Sequence, residues 1–316
     1  MSKISIIGAG TVGATVGYSL LMKGTASEIV LVDINKYKSE GEALDIMQSL
    51  PYTSQSKIYS GDYSDTANSD IVVITSGMPR KPGMSRIDLA QNNVNIIKSV
   101  ASKLMQYTPN SIFIILCNPV DILTYIFQKI TGVPESRVIG TGTLLDTARL
   151  RTRIADDFTI STKNVHTYVF GEHGDSSMIP WSISNVSGIP VKEYTKYIVN
   201  KTNMKQPELN FEEIEEHVKK SGSWIIERKG VTNYAIAACT NHLCNCILSG
   251  HEIALPISTI QHGEYEGVED VALSTLALVD RRGITGKVII PLTDDELKLL
   301  QNSAHRLKEV LQKLDF

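Results

Sequence analysis

The sequence predicts an α/β chain, a doubly wound parallel sheet followed by a mixed α+β half. Three observations carry this. Short β-branched runs alternate with helical patterns up to about residue 145, as in a parallel sheet covered on both faces. A Gly-x-Gly-x-x-Gly turn stands between the first strand and the first helix. Beyond residue 145 the alternation gives way to strand-like runs separated by long helical stretches.

The elements follow in order. "KISIIG" reads as a buried strand, and "TVGATVGYSLLMKG" as a helix with apolar residues at helical spacing and a glycine stop. "EIVLVD" is the second strand and "KYKSEGEALDIMQSL" a polar-faced helix. Next come "KIYSG", "DIVVITSG", a helix over about 87–106, "SIFIILCNP", a helix over about 120–130, and "RVIG". The second half opens with the helix "LLDTARLRTRIADDF" and continues with strand-like "VHTYVFGEHG" and "MIPWSISNVSGIPV". A loop is expected around 200–210. It precedes the polar helix "FEEIEEHVKKSGSWIIERKG" and the apolar one "VTNYAIAACTNHLCNCILSG". Strand-like "EIALPIST", "DVALSTLALVD" and "GKVIIP" lead to a final helix over about 294–314. No internal repeat or low-complexity tract interrupts the chain.

A length of 316 residues fits one large or two ordinary domains with a sizeable core. Apolar content of 42% with 21% charge is that of a globular protein. A net charge of −3 gives no global reason to expect nucleic acid or an anionic membrane as partner. No apolar run has the ~18 residues a membrane span needs, and the first strand begins too early to leave room for a signal peptide. Cys117, Cys239, Cys244 and Cys246 show neither metal-ligand nor disulfide spacing. The expectation is a cytoplasmic chain with core thiols and no metal.

The first chemical motif is "GAGTVG". Gly8 makes the turn, Gly10 lets a pyrophosphate approach the backbone, and Gly13 permits close helix–strand packing, with the helix N-terminus facing the phosphates. Asp33 closes the second strand 20 residues beyond Gly13, where a carboxylate can bond both ribose hydroxyls and repel a 2′-phosphate. The pair predicts NAD in preference to NADP.

Three further stretches hold reactive groups. "LLDTARLR" puts Asp146 and Arg149 at i and i+3 on one helix face, with Arg151 roughly 200° round and facing elsewhere. "FGEHGDSS" offers His173 in a glycine turn beside Glu172 and Asp175. "LCNPVD" places Asn118 at the C-terminal end of a parallel strand, where open α/β sheets bind ligands. Spacing alone leaves bland alternatives open: a solvated Asp–Arg pair, a loop histidine and a turn-initiating Asn-Pro. A fourth stretch, "SGMPRKPGMSR", carries Arg80, Lys81 and Arg86 on a segment too rich in proline and glycine for regular structure.

The joint order of "IIGAGTVG", "CNPVD", "GTGTLLDTARLR", "GEHGDSSMIPWS" and "RKGVTNYAIA" resembles the L-lactate/malate dehydrogenase family from end to end, and its bacterial lactate branch most. The resemblance implies a Rossmann NAD-binding domain over 1–142 and an α+β substrate domain over 143–316. It implies hydride transfer between NADH and a 2-oxo acid. In that pattern His173 is the acid–base group, Asp146 its orienting carboxylate, and Arg149 the fork on the substrate carboxylate. Arg86 is the loop arginine that polarises the carbonyl. Asn118 and Thr232 adjoin the substrate. Gly8, Gly10, Thr11, Val12, Gly13, Asp33, Gly77, Asn118 and Ile236 adjoin the cofactor.

Within the family, the resemblance divides. Arg80 stands where malate enzymes pair an arginine with a second substrate carboxylate. The threonine after the glycine in "GTGTLLDTARLR", Trp181 and Thr232 are lactate-like. The expectation is an L-lactate dehydrogenase, with malate dehydrogenase selected by Arg80 as the alternative and a non-catalytic NAD-binding redox sensor as a reading from another class. Arg151 and His166 fall where bacterial lactate dehydrogenases bind fructose 1,6-bisphosphate, and the resemblance implies a homotetramer.

Overall fold

In chain order the first half runs β1 (Lys3–Ile7), α1 (Thr11–Lys23), β2 (Glu28–Val32), α2 (Lys36–Met47), β3 (Lys57–Ser60), β4 (Ile71–Ile74), α3 (Arg86–Tyr107), β5 (Ile112–Ile115), α4 (Val120–Thr131) and β6 (Val138–Gly140). The second half runs α5 (Leu144–Phe158), β7 (Val165–His166), β8 (Asn185–Val186), β9 (Ile189–Pro190), α6 (Phe211–Lys229), α7 (Tyr234–Ser249), β10 (Ile253–Tyr265), β11 (Val268–Asp280), β12 (Gly283–Lys287) and α8 (Asp294–Leu311). The structure is a computed structural model that describes residues 2–53, 56–79, 85–198 and 209–316. The expected loop at 200–210 lies mostly outside these residues.

The six strands of the first half are all parallel, with β1 flanked by β2 and β4. Helices cover both faces, so β1, β2, β4 and β5 bury nearly every residue, and their sequences are continuous apolar runs. On one face Ile4, Ile6 and Leu31 pack with Leu20 of α1 and Leu243 of α7; on the other Ile7, Val30 and Val72 pack under Ile97 of α3 and Phe127 of α4. Burying each such side chain stabilises the fold by roughly 1.5–3 kcal/mol. Glycine ends α1 and α4: Gly24 and Gly132 take φ of 64° and 66°, a left-handed stop that the sequence reading named for α1 alone.

The chain reverses sheet direction between β1 and β4, and ligands of open α/β sheets bind beyond the strand ends at such a point. Here that rim carries the Gly8 turn, Asp33, Gly77 and Asn118.

The second half does not build a separate large sheet. Its antiparallel strands β10, β11 and β12 continue the parallel one, giving the order β12-β11-β10-β6-β5-β4-β1-β2-β3. The junction is one residue pair, Ser258 opposite Gly140. A Cβ on Gly140 would come 2.8 Å from Cβ of Ser258, so glycine is what lets the strands meet.

Three strand-like runs shrink. "MIPWSISNVSGIPV" is strand only at Asn185–Val186 and Ile189–Pro190, a short hairpin that Gly188 turns at φ 84°. "VHTYVFGEHG" is strand only at Val165–His166, since Gly171 turns away at φ 88° and makes an isolated bridge to Ser274. "GKVIIP" contributes only its first two residues to β12, which spans Gly283–Lys287, plus a backbone bond from Val288 to Leu276. Cys244 and Cys246 are buried free thiols.

Candidate active site

The glycine turn has the shape that a dinucleotide needs. Gly8 adopts φ 104°, where a Cβ would lie 2.9 Å from the Ser76 amide nitrogen. A Cβ on Gly13 would overlap the Gly8 carbonyl oxygen. Gly10, the N-cap of α1, has open space where its Cβ would be, and no side chain caps the helix. The α1 amides and dipole are thus left for an anion. Asp33 sits beside this turn: Oδ2 accepts from the Ala9 amide at 2.7 Å and Oδ1 from Asn35 at 2.9 Å. Each oxygen keeps a lone pair for a ribose hydroxyl. Thr11 is exposed at the start of α1, and Gly77 is exposed on the same rim, where a Cβ would meet Cβ of Cys117 at 3.2 Å. These residues fit NAD.

Helix α5 positions the next group. Asp146 and Arg149 lie one turn apart, and Arg149 Nη1 donates to Asp146 Oδ1 at 2.8 Å. The other carboxylate oxygen, Oδ2, meets Nδ1 of His173 at 2.6 Å. The turn around His173 is held by the Glu172 amide, which donates to Oγ of Ser303 at 2.6 Å, and by the His173 amide, which donates to Oδ2 of Asp121 at 2.7 Å.

Charge decides the protonation states here. Asp146 beside the imidazole, opposed by burial, lifts the His173 pKa to about 9, so His173 is an imidazolium at neutral pH. Burial pushes Asp146 upward, but His173 and Arg149 outweigh it and hold the carboxyl below its usual range. Asp121 goes the other way: burial raises it to about 6.

His173, Asp146 and Arg149 line one cavity of about 550 Å³. Asn118, Val12, Thr232 and Ile236, all named from sequence, line it too. Helix α6 closes one side with Lys219 and Gly222, and a Cβ on Gly222 would sit 3.3 Å from Nη2 of Arg149. Apart from Asp146, Arg149 has no carboxylate partner among the described residues, which leaves guanidinium donors for a ligand.

Arg80 lies outside the described residues, and Arg86 starts α3 without a described side chain. Arg151 faces away from Arg149. Its Nε donates to the Thr167 carbonyl at 3.2 Å, its guanidinium rests 5.4 Å from the Tyr168 ring centre, and the adjacent His166 is exposed on β7. Sequence reasoning passed over Asp121, Lys219 and Gly222. Asp121 was in plain view within "CNPVD", but nothing local says that its carboxyl reaches His173. Lys219 and Gly222 carry no spacing signal, since only the packing of α6 brings them to the cavity.

Residues 2–140 match the model of the lactate/malate dehydrogenase NAD-binding domain, and residues 143–315 that of the family's alpha/beta C-terminal domain. The chain belongs to the lactate/malate dehydrogenase family. It is an NAD-dependent oxidoreductase that takes a small 2-hydroxy acid. It is 44% identical to an L-lactate dehydrogenase of Thermoanaerobacter sp. (strain X514) over the full length of both chains. It is 42% identical to L-lactate dehydrogenase 1 of Clostridium acetobutylicum, across 99% of this chain and 98% of that one. Among solved structures it superposes on MGS-M5, a lactate dehydrogenase from a Medee basin deep-sea metagenome library, with a TM-score of 0.94 and 36% identity over 99% of this chain and 98% of that one. The minor L-lactate dehydrogenase of Enterococcus mundtii, in a ligand-bound form, gives 0.92 and 35% over 98% of each. Membership of this family replaces the redox-sensor reading. Among the described residues no helix is long and apolar enough to cross a membrane.

Proposed function

We propose that the protein is an NAD-dependent L-lactate dehydrogenase, reducing pyruvate with NADH and a proton to L-lactate and NAD, and reversibly the opposite. The observation that carries the mechanism is the Asp146–His173 contact in a cavity that also presents Arg149. Residues 1–142 hold most of the cofactor and residues 143–316 supply His173, Asp146, Arg149 and Thr232, with both stretches lining the cavity.

Gly8, Gly10, Thr11, Val12 and Gly13 take the diphosphate, Asp33 the ribose, and Gly77, Asn118 and Ile236 the nicotinamide side. When bound, NADH supplies the hydride. Arg149 holds the substrate carboxylate in a two-bond fork that lysine cannot copy, and Asn118 and Thr232 flank the reacting carbon. Asp146 accepts the Nδ1 proton of His173 and so fixes the ring, which leaves Nε2 to exchange a proton with the substrate oxygen. In reduction His173 starts as imidazolium, its state at neutral pH, and gives that proton to the forming hydroxyl. In oxidation the imidazole takes it back. Arg86 polarises the substrate carbonyl.

Arg80 favours a second reading, oxaloacetate reduction, because against a pyruvate methyl group a guanidinium has no anion to pair with. The threonine after the glycine in "GTGTLLDTARLR", Trp181 and Thr232 support the lactate reading against this one residue. The experiment is NADH oxidation with pyruvate and with oxaloacetate, compared as kcat/KM, with and without fructose 1,6-bisphosphate. A hundredfold preference for oxaloacetate, on the order of 2.7 kcal/mol, would replace lactate with malate.

The same assay tests regulation. Arg151, turned away from the cavity and adjoining His166 through the Thr167 carbonyl, supports an effector site for fructose 1,6-bisphosphate between subunits of a homotetramer. Sedimentation of the protein with and without the sugar bisphosphate tests the assembly. A cytoplasmic location goes with this reading.

A further inference from the structure

We propose that Asp121 is a positioning residue for the reaction, its buried carboxylate being the second negative charge that holds His173 as an imidazolium facing the substrate. The inference rests on the reading of His173 as the acid–base group.

Asp121 stands in the first turn of α4, in the cofactor half of the chain, with only 2% of its surface exposed. Its Oδ2 takes the His173 backbone amide at 2.7 Å. Its Oδ1 is fully buried, and the neighbouring Ser258 hydroxyl of β10 is the side-chain group that favours its charged form. Holding one amide does not need a carboxylate, because an asparagine oxygen would serve. A carboxylate this deeply buried is costly unless a cation compensates it, beyond what one hydroxyl and one amide supply. The compensating cation is His173, whose imidazolium Asp121 stabilises through space, after the larger effect of Asp146.

The charged and titratable groups around the pair come from several elements. Helix α5 gives Asp146 and Arg149, α4 gives Asp121, and the His173 turn gives Glu172, which disfavours the Asp121 charge. Asp175 of that turn and Lys219 of α6 line the same cavity, and Cys239 of α7 faces Asp146 and Arg149. Asp146 meets the imidazole ring and Asp121 the backbone of the same residue. His173 is thus bonded by carboxylates from the two halves of the chain, one at its ring and one at its backbone.

The test is the pH dependence of both reaction directions. With rising pH, pyruvate reduction falls and L-lactate oxidation climbs as His173 loses its proton. Asp121→Asn keeps an oxygen for the amide and removes the charge. Both midpoints are expected to move to lower pH by about one unit, a tenfold loss of proton affinity, and Asp121→Glu to move them back toward wild type. A purely structural Asp121 would lower rates at every pH with the midpoints in place, and coincident midpoints overturn the proposal. If Asp121→Asn does not fold, the wild-type enzyme decides. The His173 amide nitrogen and proton resonances must shift as Asp121 takes a proton around pH 6, and resonances fixed through that range overturn it equally. A wild-type enzyme that oxidises no NADH with pyruvate or oxaloacetate defeats the reading of His173 itself. An active one with unmoved midpoints defeats only this inference.

Discussion

Oδ2 of Asp146 and Nδ1 of His173 lie 2.6 Å apart, although 27 positions separate them in the chain. The same carboxylate bonds Arg149 through its other oxygen, so one buried acid connects the proton-transfer group with the substrate clamp.

Asp146→Asn is therefore expected to lower kcat/KM for pyruvate by on the order of 10²–10⁴. The high-pH limb of reduction should move from about 9 toward the ordinary histidine value of 6.5. Because the folded-state pKa is raised, the contribution to stability is present below about pH 6.5 and is lost as pH rises through about 9. Denaturant unfolding at pH 6 and pH 9.5 should show the wild type losing more stability than the variant. Equal losses would mean that the contact does not set the His173 charge.

Arg149→Lys keeps the charge but not the fork. The KM for pyruvate should rise by roughly ten- to a hundredfold, about 1.4–2.7 kcal/mol, with kcat changing less. A fall confined to kcat would place Arg149 in the chemical step and not in binding. Steady-state kinetics at saturating NADH separates the two.

Asp33 faces the glycine turn with a lone pair to spare on each oxygen. Asp33→Asn removes the charge that excludes a 2′-phosphate. The NADH:NADPH ratio of kcat/KM should shrink by roughly tenfold or more, ~1.4 kcal/mol. An unchanged ratio would show that selection against NADPH lies elsewhere on the rim.

Gly13→Ala drives a methyl into the Gly8 carbonyl oxygen, which is backbone and cannot rotate away. The turn must shift, at a cost of about 3 kcal/mol or more. Thermal unfolding should show a lower Tm, and NADH fluorescence titration weakened binding. A variant with wild-type Tm would mean that the turn is looser than its contacts indicate.

Arg80→Gln tests the divided resemblance. Oxaloacetate turnover should fall relative to pyruvate if the arginine pairs with a second carboxylate. An unchanged ratio would remove Arg80 from selection.

Much of the fold was legible because its signals are local. The β-branched runs, the glycine stop at Gly24, and the Gly8–Gly13 turn each depend on a few neighbouring residues. The antiparallel strands were legible as strands but not as the continuation of the parallel sheet. That junction depends on Gly140 meeting Ser258 across 118 positions (258 − 140), which no periodicity encodes. "VHTYVFGEHG" was over-read as strand because its apolar pattern is real, yet the Gly171 backbone turns the run toward the site.

The sequence alone determined the element order, the dinucleotide turn and the Asp146–Arg149 pair, since each follows from backbone preferences or from helical spacing within one segment. Only the tertiary structure decided that Asp121 and Asp146 converge on His173 and that α6 closes over Arg149. Those contacts join segments far apart in the chain, and burial, which exists only after folding, sets the charge each group carries.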